Sequence, residues 1–461
     1  MATIQKRGKS YSIRVSCGYD INGRQIIRSM TWRPEAGLSN LQAEREVKRQ
    51  AVLFEERCHT GQVLTGKVRF ADFIDLWMRD YAEKQVRPTT FARYRSMLPR
   101  INAALGHMRL DRIQPHHLLE FYNTLSAAGS RSDCKQHFRG DFNQTLQSLS
   151  LTREAFSIQA GVSRSVVDNL RHGTNVTAES AARVAAYLGQ PVQTLFEPVD
   201  RERGLSDKTV LHHHRLISVI LATAVKWQIL FSNPCDRVQP PRVAYQEARY
   251  LDEKQAALLL DALQHVDIQH RAIVQLLLYT GMRRGELCGL SWRDIDFDTS
   301  VIHVRRSSLY LSDRGIFEDS TKNATSRRSI KVPKDAMDTL YIYHAWQEQQ
   351  RQQLGDGWQE SDRVFTAWNG SPIHPDNITS WFSRFVRTHD LPAISLHSLR
   401  HTNATLLIAA GVNLQTVAAR LGHASVTTTG KIYAHAIQSA DAAAADTLQD
   451  LLHPLASKKR P

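Results

Sequence analysis

The sequence predicts a multidomain, mainly α protein. It comprises a small β-sheet-plus-helix domain at the N-terminus, an all-α domain interrupted by an inserted helical unit, and an α+β C-terminal domain. Three observations carry this. At 461 residues the chain exceeds what one hydrophobic core organises, so roughly two to four domains are expected. Apolar residues recur at helical spacing over most of its length, while alternating runs cluster near the N-terminus and around 295–333. Hydrophobic residues make up 42% and charged residues 23%, a balance that excludes a disordered chain.

The first segment, Met1–Arg33, carries seven basic residues and one acidic residue, Asp20. It reads as strands over 11–20 and 24–32 with a turn at Ile21–Gly23. Ser39–Asn40 caps a helix over 41–57, and this first domain is placed at 1–66. Helices are then expected over 70–83, 89–105 and 116–129, and again over 205–230, which ends in the Pro-rich linker 232–243. These pieces form one split helical domain, 67–134 and 205–243. Between them, 135–204 reads as its own unit. LTREAFSIQAGVSRSVVDNLRHG (151–173) gives a helix capped by Thr152, a tight turn at Gly161 and a second helix capped by Ser163. Further helices are expected over 178–189 and 191–197.

The C-terminal domain is placed at 244–445. Helices are expected over 250–263 and 270–281, strands over 295–310 and 325–333, and helices over 335–353, 376–390 and onward. A tail, 446–461, closes an Ala-rich stretch that begins at Ala436 and ends in SKKRP.

Net charge is +14 and the pI about 9.7, which points to a polyanionic partner, nucleic acid before an anionic membrane. No stretch approaches the ~20 apolar residues of a membrane span, and Met1–Ser10 is charged with no apolar h-region after it. The five cysteines are widely spaced, odd in number and without a CxxC pair. That argues against a disulfide framework or zinc site and for a reducing, cytoplasmic setting.

Six polar residues in the last third suggest a chemistry: Arg283, Lys322, His397, Arg400, His423 and Tyr433. Phosphoryl transfer requires charge neutralisation, an aligned nucleophile and protonation of the leaving oxygen. Metal enzymes hold an ion with carboxylates, and the candidate set has none; two guanidinium forks, Arg283 and Arg400, can grip the non-bridging oxygens instead. Lys322, in a polar loop between strands, is placed to protonate a departing 5′ oxygen. His397 lies one turn before Arg400 and can assist proton transfer, His423 can hydrogen-bond the phosphate, and Tyr433 is the nucleophile, its pKa expected to fall in cationic surroundings. Singly, each has an ordinary structural explanation, and His401 and His435 are read as structural. The order and spacing of the four segments that hold the six make the case.

Those segments, TGMRRGEL, TKNATSRRSIKVP, HSLRH and LGHASVTTTGKIYAH, resemble the tyrosine recombinase, or phage integrase, family. The resemblance covers the C-terminal domain and, more loosely, 70–128 with 205–243 as a core-binding domain; Met1–Val63 is similar to arm-site-binding domains. It puts the catalytic roles on the six residues named, with Glu286 as acidic support. Gly430 departs from the family's bulkier residue and is expected to loosen the segment carrying Tyr433. The 135–204 unit, unusual at its position, resembles the helix-turn-helix domain of Cro- and repressor-type regulators. That resemblance turns Arg164, Ser165 and Asn169 toward a major groove and Val167 and Leu170 inward, with Asp168 close enough to that face to repel phosphate. A helical unit kept for protein contacts is the alternative.

The resemblance implies conservative site-specific recombination through a 3′-phosphotyrosine and a Holliday junction, with no metal or other cofactor. Four protomers would act on double-stranded DNA with core and arm attachment sites, with accessory directionality or DNA-bending proteins, in a bacterial cytoplasm. Rival readings are a type IB-like topoisomerase, a DNA-binding transcriptional regulator and a basic packaging protein.

Overall fold

The computed structural model describes residues 2–19, 24–34, 39–59, 68–130, 135–199, 204–244, 247–320 and 327–433, with 449 and 452. The turn at 21–23, Cys134, Lys322, His435 and, apart from 449 and 452, the Ala-rich tail lie outside the described residues. The chain divides into two compact units, Met1–Ala244 and Tyr245–Pro461.

In the first unit, β1 (Thr3–Arg7), β2 (Ser10–Tyr19) and β3 (Gln25–Trp32) form an antiparallel sheet in the order 1-2-3. β1 was not expected; TIQKR is short and polar, and only pairing with β2 makes it a strand. Helix α1 (Asn40–His59) covers the sheet, with Val47, Ala51 and Phe54 packed on Ile13 and Val15. Ser39 and Gln42 cap it reciprocally, at 3.3 Å and 2.9 Å.

α2 (Phe70–Trp77) continues through a π-helical turn, Met78–Ala82, into α3 (Glu83–Gln85); α4 (Pro88–Ile101) ends in a second π turn, Asn102–Gly106, and α5 (Pro115–Ser126) follows. The two regular helices expected over 70–83 and 89–105 are thus each broken late. Much later in sequence, α11 (Asp207–Lys226) completes the same core. Phe70, Phe73, Trp77, Leu118, Leu216 and Ile220 share one buried cluster, and the Trp77 indole donates to Thr223 Oγ1 at 3.1 Å.

The intervening segment carries β4 (Gln136–Phe138), α6 (Phe142–Ser148), α7 (Arg153–Gln159), α8 (Arg164–Arg171), α9 (Ala178–Tyr187), α10 (Val192–Leu195) and β5 (Phe196–Pro198). It has a separate core around Phe142, Phe156, Val167 and Phe196. β4 and β5 pair antiparallel, Gln136 opposite Pro198, so this segment leaves and returns at one place. That pairing explains why 196–198 is strand where helix was expected to run to 197. Just beyond, a Cβ on Gly204 would lie 1.9 Å from the Ser126 carbonyl oxygen; only glycine lets α11 start against the end of α5. Thr152 caps α7, accepting from the Ala155 amide at 3.2 Å. Ser163 sits at the N-cap of α8 but makes no cap bond; its hydroxyl pairs with Ser165 instead.

The second unit begins with α12 (Glu253–Ala262), α13 (Ile268–Thr280) and α14 (Arg284–Cys288). The single strand expected over 295–310 is three: β6 (Ile295–Asp296), β7 (Val301–Val304) and β8 (Arg306–Leu311). β7 lies between β6 and a later strand, β10 (Arg328–Lys331), whereas β8 forms a separate ribbon with β9 (Gly315–Ser320). At the split, the Arg306 guanidinium turns back to the buried Asp294 at 2.9 Å. α15 (Lys334–Leu354), α16 (Pro375–Thr388), α17 (Leu396–Ala409), α18 (Leu414–Leu421) and α19 (Val426–Ile432) follow. α13 is buried nearly all round, from Ala272 to Leu278, so it is the axis on which the other helices pack.

Candidate active site

Helices α14, α17, α18 and α19 and strand β10 of the second unit converge where α13 ends. Gly281 terminates that helix at φ +62, and a Cβ there would meet Leu421 Cδ2 at 2.6 Å and Asn403 Oδ1 at 2.9 Å. Glycine is required on both counts, and the tight turn aims Arg283 and the Gly281 carbonyl into one space. α17 locks the turn from the side: Asn403 donates to the Leu278 and Tyr279 carbonyls at 2.8 and 3.1 Å. Arg420 of α18 donates to the same Tyr279 carbonyl at 2.6 Å.

Glu286, only 3% exposed, organises the arginines. Its two oxygens accept from the Arg283 amide at 2.9 Å and the Arg283 guanidinium at 2.7 Å. It also accepts from Arg328 Nη2 at 2.9 Å. Burial pushes the Glu286 carboxyl up, but Arg328 and Arg283 outweigh it and hold the pKa below the usual carboxylate range. Arg400, 3% exposed, donates from Nη1 to the Gly281 carbonyl at 2.6 Å. Its Nη2 is buried with no hydrogen-bond partner among the described residues. Burial, then repulsion from Arg283, lowers its pKa to about 10. A buried guanidinium with a spare donor among other cations is suited to an incoming anion.

His423 follows the left-handed Gly422 that ends α18. Its Nδ1 pairs with Thr429 Oγ1 at 2.8 Å, and burial followed by the charges of Arg400 and Arg283 lowers its pKa to about 4. The imidazole is therefore neutral at ordinary pH and able to give a hydrogen bond without adding charge. His397 presents an exposed edge at the start of α17. Packing around its ring, then Arg400 and Arg283, lower its pKa too.

Tyr433 caps α19 and is 1% exposed, packed with Ala404, Ile408, Val417 and Leu421. Its hydroxyl lies 3.0 Å from His401 Nδ1. The expected drop in its pKa does not occur: burial outweighs the charge of Arg400 and pushes the phenol up to about 12. Gly430 lies inside α19, which stops at Ile432.

The fold thus gathers Arg283, Glu286, His397, Arg400, His423 and Tyr433 at one locus. Lys322 lies outside the described residues, in the segment between β9 and β10. Arg164, Ser165 and Asn169 belong to the other unit, exposed on α8, while Val167 and Leu170 are buried beneath them. Asp168 is engaged by Arg153 at 3.4 Å and Arg171 at 3.9 Å. Two residues at the C-terminal locus escaped the sequence reading. His401 was read as structural, although its place one helical turn after His397 puts it on the same face. Arg328 hid beside Arg327; only the register of β10 shows which of the two turns inward. Among the described residues no group of histidine, cysteine and carboxylate side chains could hold a metal ion, and no helix is long and apolar enough to cross a membrane.

Residues 249–439 match the phage integrase family and residues 69–126 the SAM-like N-terminal domain of phage integrases. The chain is 29% identical over 251 residues to the ICEBs1 integrase of Bacillus subtilis (strain 168), covering 54% of this chain and 68% of that one. It is 27% identical over 267 residues to a XerC-like tyrosine recombinase of Caldanaerobacter subterraneus subsp. tengcongensis, again covering 54% and 68%. In structure it resembles the Tn1549 transposon integrase, solved in complex with transposon right end DNA. The TM-score is 0.56 at 20% identity, over 83% of this chain and 99% of that one, a likeness of fold. The chain belongs to the phage integrase, or tyrosine recombinase, family of enzymes that cleave and rejoin DNA.

Proposed function

We propose that the protein integrates and excises a prophage or other integrative element by site-specific recombination. Tyr433 attacks the scissile phosphate and is left as a 3′-phosphotyrosine. Arg283, held by Glu286, and Arg400, held by the Gly281 carbonyl, bind the non-bridging oxygens, and His423 adds a neutral hydrogen bond. Lys322 protonates the departing 5′ oxygen. The bond energy stays in the phosphotyrosine, so the free 5′ hydroxyl of a partner strand reverses the chemistry through a Holliday junction. The reading calls for neither metal nor nucleotide. The observation that carries it is the buried Arg400 Nη2, without a hydrogen-bond partner among the described residues, beside the Glu286-held Arg283. We infer that four protomers act together on the DNA.

We further infer that the basic 1–66 domain binds arm sites, raising avidity through effective concentration. Residues 67–134 with 205–243 would grip the core site. Residues 135–204 would act as a helix-turn-helix reader through Arg164, Ser165 and Asn169. The arginine partners of Asp168 offset the repulsion of phosphate expected from it. Against this, Arg164 is bound to Glu154 at 2.8 Å and must release it to reach a base.

The test is a nicked suicide duplex carrying the core site. The wild type should trap a covalent protein–DNA adduct without magnesium, and Tyr433→Phe should abolish the adduct while binding persists. Binding without any wild-type adduct would favour a regulator; relaxation without strand exchange would favour a topoisomerase.

A further inference from the structure

We propose that His401 is the catalytic base that takes the proton from the Tyr433 hydroxyl. The proposal rests on Tyr433 being the nucleophile, as argued above. The hydrogen-bond partner of the phenol is His401 Nδ1, 3.0 Å away, with ring centroids 5.6 Å apart and the planes tilted by 56°. That is the reach a base needs. His397, the histidine that sequence order favours for proton transfer, instead packs edge-on against the His401 ring, centroids 4.9 Å apart.

A partner is needed. A phenol held at a pKa of about 12 is ionised in only about one molecule in 10⁵ at pH 7. In the step, the O–H bond breaks and its proton goes to Nδ1 as the phenolic oxygen bonds to phosphorus. The phosphorus–O5′ bond breaks, and the 5′ oxygen takes a proton from the general acid. The imidazolium passes its proton on to solvent. A cleft of about 900 Å³ is lined by both His397 and His401 and supplies that solvent.

Among the described residues, the charged and titratable groups around His401 include Tyr433, His397, Arg400 and His423 on the site side. Across the cleft are Glu247, Arg249, Arg387 and Asp390. The bound phosphate offsets the arginines during the step.

The experiment uses the full chain and a suicide duplex in two forms, one with the ordinary 5′ oxygen and one with a 5′-bridging sulfur. Sulfur leaves without an acid, so a base defect persists on it and an acid defect is relieved. His401→Gln keeps a hydrogen-bonding group but accepts no proton. It should cleave both substrates about 100-fold more slowly or worse at pH 7, recover as pH rises, and bind the duplex as the wild type does. Added imidazole should partly restore His401→Ala. Wild-type rates for His401→Gln at every pH, or a defect that sulfur relieves, would overturn the base role. A wild-type adduct on a residue other than Tyr433, or none, would overturn the nucleophile reading itself, and that arm is scored before any His401 variant.

Discussion

Glu286→Gln should loosen the site far more than its near-identical shape suggests. The carboxylate is 4% exposed and Arg328, which donates to it, is 6% exposed, so the change takes a carboxylate away from a buried cation. Removing one partner of a buried ion pair costs about 3–5 kcal/mol. Arg283 is different: its side chain is 41% exposed, so it rehydrates, and losing that pair adds at most about 1 kcal/mol. The new amide can still accept from the Arg283 backbone N–H, returning about 1 kcal/mol. The net is a loss on the order of 3–5 kcal/mol, or about two to three and a half decades in an opening equilibrium. Native-state hydrogen exchange of the full chain, read in peptides covering α13, α14 and α18, measures it locally. Arg328→Met and the double variant complete the cycle. The double should be less destabilised than the sum of the singles, because the buried cation and the carboxylate facing it then leave together. Unchanged exchange in Glu286→Gln, or strictly additive effects, would refute the idea that this ion pair holds the site.

Two further outcomes are expected. His423 titrates from 6.5 when unfolded to about 4 in the fold, so the unfolded chain binds the proton first and stability is lost as pH falls through that window. His397 acts in the same sense, and the depressed Glu286 carboxyl extends the loss below its usual 4.5. His423→Asn should therefore make thermal stability fall less steeply between those pH values, and an unchanged slope would refute it. Deleting 135–203, which keeps Gly204, should leave a foldable chain that still forms the core-site adduct, because β4 and β5 bring the ends of this segment together. A chain that no longer folds would show the boundary to be misplaced.

Much was legible along the chain because it is written in local terms. Helical spacing and caps announced α1, α5, α7, α11 and α13 to within a few residues. The catalytic candidates were legible from segment order, since each segment's chemistry is short-range. Strands were harder: β1, β4, β5 and β9 are short, polar or both, and a strand exists only through its neighbour. The late break in the helix over 70–83 falls on MRDYA, which holds no glycine or proline, whereas the helix over 89–105 carries Pro99 just before its π turn.

The sequence by itself determined the basic charge and the helical periodicity, and it offered the split of one helical domain and a candidate set of residues for handling a phosphodiester. Only the tertiary structure decided which of two adjacent arginines reaches Glu286, which of two histidines touches the phenol, and in which direction the phenol's pKa moves. The reason is physical. Composition records which charges are near one another in sequence, whereas pKa and hydrogen-bond partners depend on burial and distance. At Tyr433, burial outweighs the arginine that was expected to prevail.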